Sequence, residues 1–197
     1  MSLITFVKIN NISNLSEARY SAGMGVNQIG ICVKPDDENY IGSDIAKDLI
    51  QWISGPEIVL ECENYTNWLA MSGKYEYSVI QIPYSEYSQF NNKDIKLILE
   101  ISFDALVHLS PSIMEDSRIE YLYVSMDREE IENHIEVIRT KSNELPLVIG
   151  LGVNPENILS LINTTKIRGV ALDGKKEIKP GLTDYDHLAD VLELIDE

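Results

Sequence analysis

The chain has 197 residues, 44 % of them hydrophobic and 24 % charged, and a formal net charge of −16. This is an ordinary globular composition with room for a sizeable core, and it is too acidic to neutralise nucleic-acid phosphates. No apolar run reaches membrane-spanning length and MSLITFVKIN has no signal-peptide pattern. The expectation is one cytoplasmic domain over residues 1–197, with neither a membrane nor a nucleic acid as partner.

Residues 3–9 (LITFVKI) form a first strand by length and β-branched content, with Lys8 as its one charge. Ser13 and Asn14 start a helix that runs to Gly23 and Gly25, and residues 27–33 (NQIGICV) are a second strand. Ser43 and Asp44 open a second helix that ends near Ile53. Residues 57–62 (EIVLEC) and 77–82 (YSVIQI) are the third and fourth strands, with a helix over 64–72 between them. Residues 83–92 carry no clear pattern. A fifth strand over 95–101 leads into a helical turn or loop through Ser110 and Pro111. A sixth strand over 119–124 is followed by a well-patterned helix over 127–141.

Residues 147–150 are a seventh strand, ending in Gly150 and Gly152. Asn154, Pro155 and Glu156 supply an N-cap, a first-position proline and a first-turn acid for the next helix. Residues 167–172 are an eighth strand and end in Asp173, Gly174 and Lys175. Thr183 and Asp184 then cap a last helix, with Leu188, Val191, Leu192 and Ile195 on one face. Eight strands alternating with helices is the pattern of an α/β (β/α)8 TIM barrel, small for its class, in which the first and eighth strands must pair.

Barrel chemistry sits at the carboxyl ends of the strands. Strand order brings Asn10, Lys34, Glu61, Glu63, Gln81, Glu100, Ser102, Ser125 and Asp127 to that end. The turns after strands seven and eight have the makings of a phosphate-sized anion site built from Gly150, Gly152, Asn154, Gly174 and Lys175, with Asp173 beside it; tight βα turns account for the same glycines without a ligand. Lys8 either faces inward, paired with a buried carboxylate such as Glu100, or outward under the helices. Cys32 and Cys62 lie in apolar segments without ligand spacing and read as reduced core thiols, and the three histidines are scattered, so no metal is expected.

Several of these stretches resemble one family. Residues 7–14 (VKINNISN) are similar to the K-I-C-G-I-T opening of phosphoribosylanthranilate isomerases, and the likeness continues through Glu17-Ala18 and residues 30–35 (GICVKP). It returns in residues 152–157 (GVNPEN), similar to G-G-L-x-P-x-N, and in Glu177, Pro180-Gly181 and Asp184; residues 57–145 match in pattern only. The resemblance implies a TIM barrel of tryptophan biosynthesis that performs an Amadori rearrangement. An aspartic acid protonates the ribose ring oxygen, a cysteine thiolate removes the neighbouring carbon's proton, and backbone groups after strands seven and eight hold the phosphate. No cofactor or metal is implied.

The chain departs from that pattern where the chemistry lies. Asn10 stands at the family cysteine, and an amide is no base at neutral pH. Asn11 replaces the following glycine, and the arginine after strand two falls near Asn39. The catalytic aspartate falls near Val124 or Ser125; Asp127 is the nearest carboxylate but reads better as a helix cap. Asp173 puts a carboxylate where the family binds a dianion. The expectation is therefore an isomerase-like barrel without normal isomerase activity that binds a small molecule, phosphorylated or not, as a monomer or homodimer. A divergent true isomerase, and a different barrel enzyme acting on a small phosphorylated metabolite, are the alternatives.

Overall fold

The computed structural model describes residues 2–91, 94–174 and 186–197. Eight parallel strands close into a barrel in sequence order: β1 (Phe6–Asn10), β2 (Gln28–Cys32), β3 (Glu57–Glu61), β4 (Val79–Pro83), β5 (Lys96–Ile101), β6 (Ile119–Met126), β7 (Leu147–Leu151) and β8 (Gly169–Asp173). The closing seam is β1 on β8, in register from Phe6 opposite Gly169 to Asn10 opposite Asp173. The strand pairing that a barrel requires is thus present.

Alternation along the strands sorts the side chains. Val7, Ile9, Ile29, Ile31, Leu60, Ile80, Ile82, Leu97, Leu99, Leu122, Ile149, Val170 and Leu172 join the main core under the helices. Val59, Val79, Ile98, Tyr121, Tyr123, Val148 and Ala171 form a second cluster, with Phe6 packed against it. This is the filled interior expected of a barrel whose strands are covered on both faces. A register shift between Leu97 and Ile98 against β6 sets Tyr121 opposite Ile98 and Tyr123 opposite Glu100. Both tyrosines are thereby inside.

The helices follow the expected capping chemistry. Asn14 caps α1 (Leu15–Gly23) by accepting from Glu17 N, and Asn64 caps α3 (Tyr65–Met71) by accepting from Asn67 N. Between them, α2 spans Ser43–Trp52. The unpatterned stretch after β4 is a 3-10 helix over Tyr84–Phe90, which seats Phe90 in the core against Tyr65 and Trp68. After β5 come α4 (Phe103–His108) and a 3-10 turn over Pro111–Glu115.

The helix expected over residues 127–141 is two, α5 (Arg128–Asn133) and α6 (Ile135–Lys141). His134 breaks it with φ −118° and ψ 19°, and its ring stacks on Phe103 at 4.3 Å. α7 (Ile158–Thr164) and α8 (Asp186–Leu194) complete the ring. The expected cap at Thr183 and Asp184 lies outside the described residues, as do Lys175, Glu177 and Pro180-Gly181.

Among the described residues, no helix is long and apolar enough to cross a membrane, and no group of His, Cys, Asp and Glu is arranged to hold a metal ion. Cys32 and Cys62 are free and buried. Burial pushes both thiols up, Cys32 to about 11 and Cys62 to about 12, so neither is a ready nucleophile.

Candidate functional site

The upper interior of the barrel holds a polar layer instead of an apolar one. Lys8, fully buried, points inward from β1, between the outward-facing Val7 and Ile9. Its ammonium donates to Glu61 Oε1 at 2.6 Å, to Gln81 Oε1 at 2.8 Å and to Asn10 Oδ1. An ammonium has three donors, so this one is fully used.

Glu61, not Glu100, is the partner of Lys8. Gln81 on β4 stands between β3 and β5 and hands the network on, donating from Nε2 to Glu100 Oε2 at 3.1 Å. Gly30 makes the pair possible, because a Cβ there would meet the Glu61 carboxylate, 2.6 Å from its Cδ, and come within 3.1 Å of Lys8 Nζ.

Asn10 is held at both ends of its amide. Its Oδ1 accepts from Lys8, while Nδ2 donates to Tyr123 Oη at 3.2 Å and to Asp173 Oδ1 at 3.1 Å. Asn11 takes a positive φ of 57°, a conformation asparagine tolerates, and donates its backbone N–H to Glu61 Oε2 and its Nδ2 to Asp173 Oδ1. Asp173, opposite Asn10 on β8, therefore collects two amide protons on one oxygen.

The electrostatics of this layer lean negative. Burial raises Asp173 above the ordinary 3.8; the Asn10 hydrogen bond opposes this and the Glu61 charge adds to it. Burial pulls Lys34 down, but Glu100 and Glu61 outweigh it and leave it raised, a cation held by facing carboxylates. Burial also pushes the Tyr123 phenol far above its usual range, so it stays a neutral hydrogen-bonding group.

The turn residues are arranged as follows. A Cβ on Gly150 would lie 2.5 Å from Tyr123 Cε2, so this glycine makes room for that ring. Gly152 lies against the Asp127–Arg128 peptide, where a Cβ would be 2.7 Å from Asp127 O, and its N–H donates to Met126 O at 2.7 Å and Gly150 O at 3.0 Å. Gly174 N donates to Asn10 O at 2.8 Å. Asn154 folds its own turn: Oδ1 accepts from Glu156 N and Asn157 N, and Nδ2 donates to Gly152 O. It is not the helix cap that the sequence suggested: regular helix starts at Ile158 with Asn157 as its N-cap, and Asn154 serves the turn before it.

Asp127 is the N-cap of α5. It forms a reciprocal capping box with Glu130, each bond 2.8 Å long. Its carboxylate is spent there, apart from the Asn10 cluster.

The structure thus brings Asn10, Asp173 and Gly174 together and leaves Asp127 apart; Gly150, Gly152 and Asn154 shape the neighbouring turn. Sequence reasoning passed over Tyr123 and gave Asn11 and Gly30 no part in the site. Gly30 had a signal, since a glycine inside an apolar strand marks close approach by another group. Tyr123 had none, because its inward direction follows from the β5–β6 register shift.

Comparison with known proteins agrees with this architecture. No family profile and no curated sequence matches the chain. Solved structures do. The phosphoribosylanthranilate isomerase of Thermotoga maritima superposes with a TM-score of 0.74 at 19 % identity, covering 96 % of this chain and 98 % of the other. TrpF from Jonesia denitrificans gives 0.76 at 15 % identity, covering 96 % and 95 %. A phosphoribosylanthranilate isomerase in complex with reduced 1-(o-carboxyphenylamino)-1-deoxyribulose 5-phosphate gives 0.69 at 20 % identity, covering 96 % and 97 %. The chain has a phosphoribosylanthranilate isomerase-like fold.

Proposed function

We propose that this chain is an isomerase-like barrel that does not carry out the Amadori rearrangement and whose mouth binds a small molecule. Asn10 carries the reading. It stands at the position of the resembled family's cysteine base, and both ends of its amide are engaged by Lys8, Tyr123 and Asp173. Such a group neither ionises nor has an idle atom to accept a proton.

The expected acid position is equally spent. Ser125 falls near it, and Asp127 is committed to its capping box with Glu130. Losing one positioned acid or base typically costs about 10² to 10⁴ in rate, and here neither stands at its expected position.

The ligand reading rests on barrel geometry and on the polar groups that gather at the carboxyl ends of β1, β3, β5 and β8. Gly150, Gly152, Asn154, Asp173 and Gly174 are the proposed ligand-binding turn residues, together with Lys175, which lies outside the described residues. The amides of Gly152 and Gly174 are donated within the fold, and Asp173 adds a negative charge beside them. A neutral group is favoured there over a phosphate dianion.

A second reading has one observation behind it. Asp173 is a carboxyl group at the mouth with a raised pKa, as a general acid requires, so a divergent isomerase would protonate its substrate from Asp173. Purified protein is to be assayed for turnover of phosphoribosylanthranilate by fluorescence, with complementation of a tryptophan auxotroph lacking the isomerase. The expected result is no turnover and no growth from folded protein. Turnover abolished by Asp173→Asn would replace the first reading with the second.

A further inference from the structure

The polar layer leaves few atoms unspent. Lys8 uses its three donors, Asn10 and Gln81 use both ends of their amides, and Glu61 uses both oxygens. Groups already paired have little to offer a ligand, whose chemistry is set by the atoms left open.

Lys34 keeps such an atom. Alternate residues of β2 turn inward: Gly30 does, because a Cβ there would meet Glu61 and Lys8, while Ile29, Ile31 and Val33 pack in the outer core. Val33 N still donates to Glu61 O at 3.1 Å, so the alternation runs past the end of the strand and turns Lys34 toward the mouth. Glu100 keeps another. It is inward on β5, between the outward Leu99 and Ile101, and only its Oε2 is taken, by Gln81.

Both side chains are half-buried, and they stand on strands three apart round the ring. Burial opposes the Lys34 charge, and among the groups that uphold it Glu100 acts most strongly. No ion pair closes the space between them. Lys34 Nζ and Glu100 Oε1 have no hydrogen-bond partner among the described residues, and neither atom is shut away from water. Opposite charges that attract without touching are best joined by a molecule that carries both in reverse order. Each half-buried charge then regains the close partner it lacks.

We propose that Lys34 and Glu100 are the specificity-determining residues of the mouth, and that its ligand is a zwitterionic amino acid whose carboxylate meets Lys34 and whose ammonium meets Glu100. The inference rests on the ligand-binding reading above and adds a chemical class to it. Such a molecule has no net charge, in keeping with a layer whose negative bias disfavours a phosphate dianion.

The test compares wild type with Lys34→Met, Lys34→Arg and Glu100→Gln, with binding followed by ligand-observed NMR. The probes are glycine, β-alanine and 4-aminobutyrate, which set the two charges progressively further apart. Butyrate, butylamine and butyramide carry one charge or none. Wild type should bind at least one of the amino acids about tenfold more tightly than any of these three. Lys34→Met should bring that amino acid down to the level of butylamine, and Glu100→Gln to the level of butyrate, whereas Lys34→Arg should keep most of the preference. Folding is not at stake, because Lys34 has no partner to strand and glutamine at position 100 still accepts from Gln81. Equal binding of all six compounds by wild type would overturn the inference and leave the ligand-binding reading standing. A preference that survives both Lys34→Met and Glu100→Gln would do the same. Binding of none of them by folded wild type would sink the ligand-binding reading and the inference with it.

Discussion

Gly30 on β2 provides the space in which the Glu61 carboxylate meets Lys8: a Cβ there would sit 2.6 Å from Glu61 Cδ. A glycine in the middle of a strand is a cost in isolation, and here it is what lets a buried ion pair form. Gly30→Ala should push Glu61 off Lys8 and destabilise the barrel by at least about 1–3 kcal/mol, the usual cost of overpacking. Urea unfolding measures it; a neutral alanine would mean that Glu61 has somewhere else to go.

Lys8 and Glu61 are both buried at a separation of 2.6 Å. Removing one partner of such a pair strands the other charge, at about 3–5 kcal/mol. Lys8→Met should lose that much. The double variant Lys8→Met/Glu61→Gln should recover most of it, because the stranded charge is gone. A double-mutant cycle by chemical denaturation separates the two outcomes; strict additivity would mean that the pair is not coupled.

Asp173 gives a pH dependence with a definite sign. Its carboxyl is raised by burial above 3.8, so the folded state holds its proton more tightly than the unfolded chain does. Its contribution is fully present below 3.8 and is lost as pH rises through the raised folded value. Asp173→Asn keeps an acceptor for Asn10 and Asn11 and carries no charge. Its stability relative to wild type should therefore climb across that window and then level off. Unfolding free energies of both proteins from pH 3 to 8 test this, and a difference that falls with pH would contradict it.

Restoring a thiol at Asn10 should not restore chemistry. Asn10→Cys removes the acceptor for Lys8 and the donor to Tyr123 and Asp173, and Asp127, the carboxylate nearest the expected acid position, is engaged in its capping box. The expected outcome is no measurable turnover of phosphoribosylanthranilate together with a stability loss of about 1–3 kcal/mol from unsatisfied buried groups. Turnover by this single variant would mean that one substitution alone separates the chain from an isomerase.

The barrel was legible because each strand is a short apolar run closed by turn residues, and that information is local. The two-helix break at His134 was not legible in the periodicity, and the ring that stacks on His134 at the break, Phe103, is a residue distant in the chain. The 3-10 helix over Tyr84–Phe90 was missed for a similar reason: Phe90 is fixed by Tyr65 and Trp68 rather than by any periodicity. At the site, the inward turn of Lys8 was one of two readings that the sequence left open. Its partner required knowing which strand lies level with it, and Gln81 on β4 intervenes between Lys8 and Glu100.

Cys32 and Cys62 are the chain's two cysteines, both shut away from solvent and both protonated far above neutral pH. The folded barrel should consequently be silent to thiol-reactive dyes, and any colour that develops should count openings of the barrel wall around β2 and β3. The molecule thus has a built-in clock for its own breathing, and the rate of labelling by a disulfide reagent reads it without a single engineered residue.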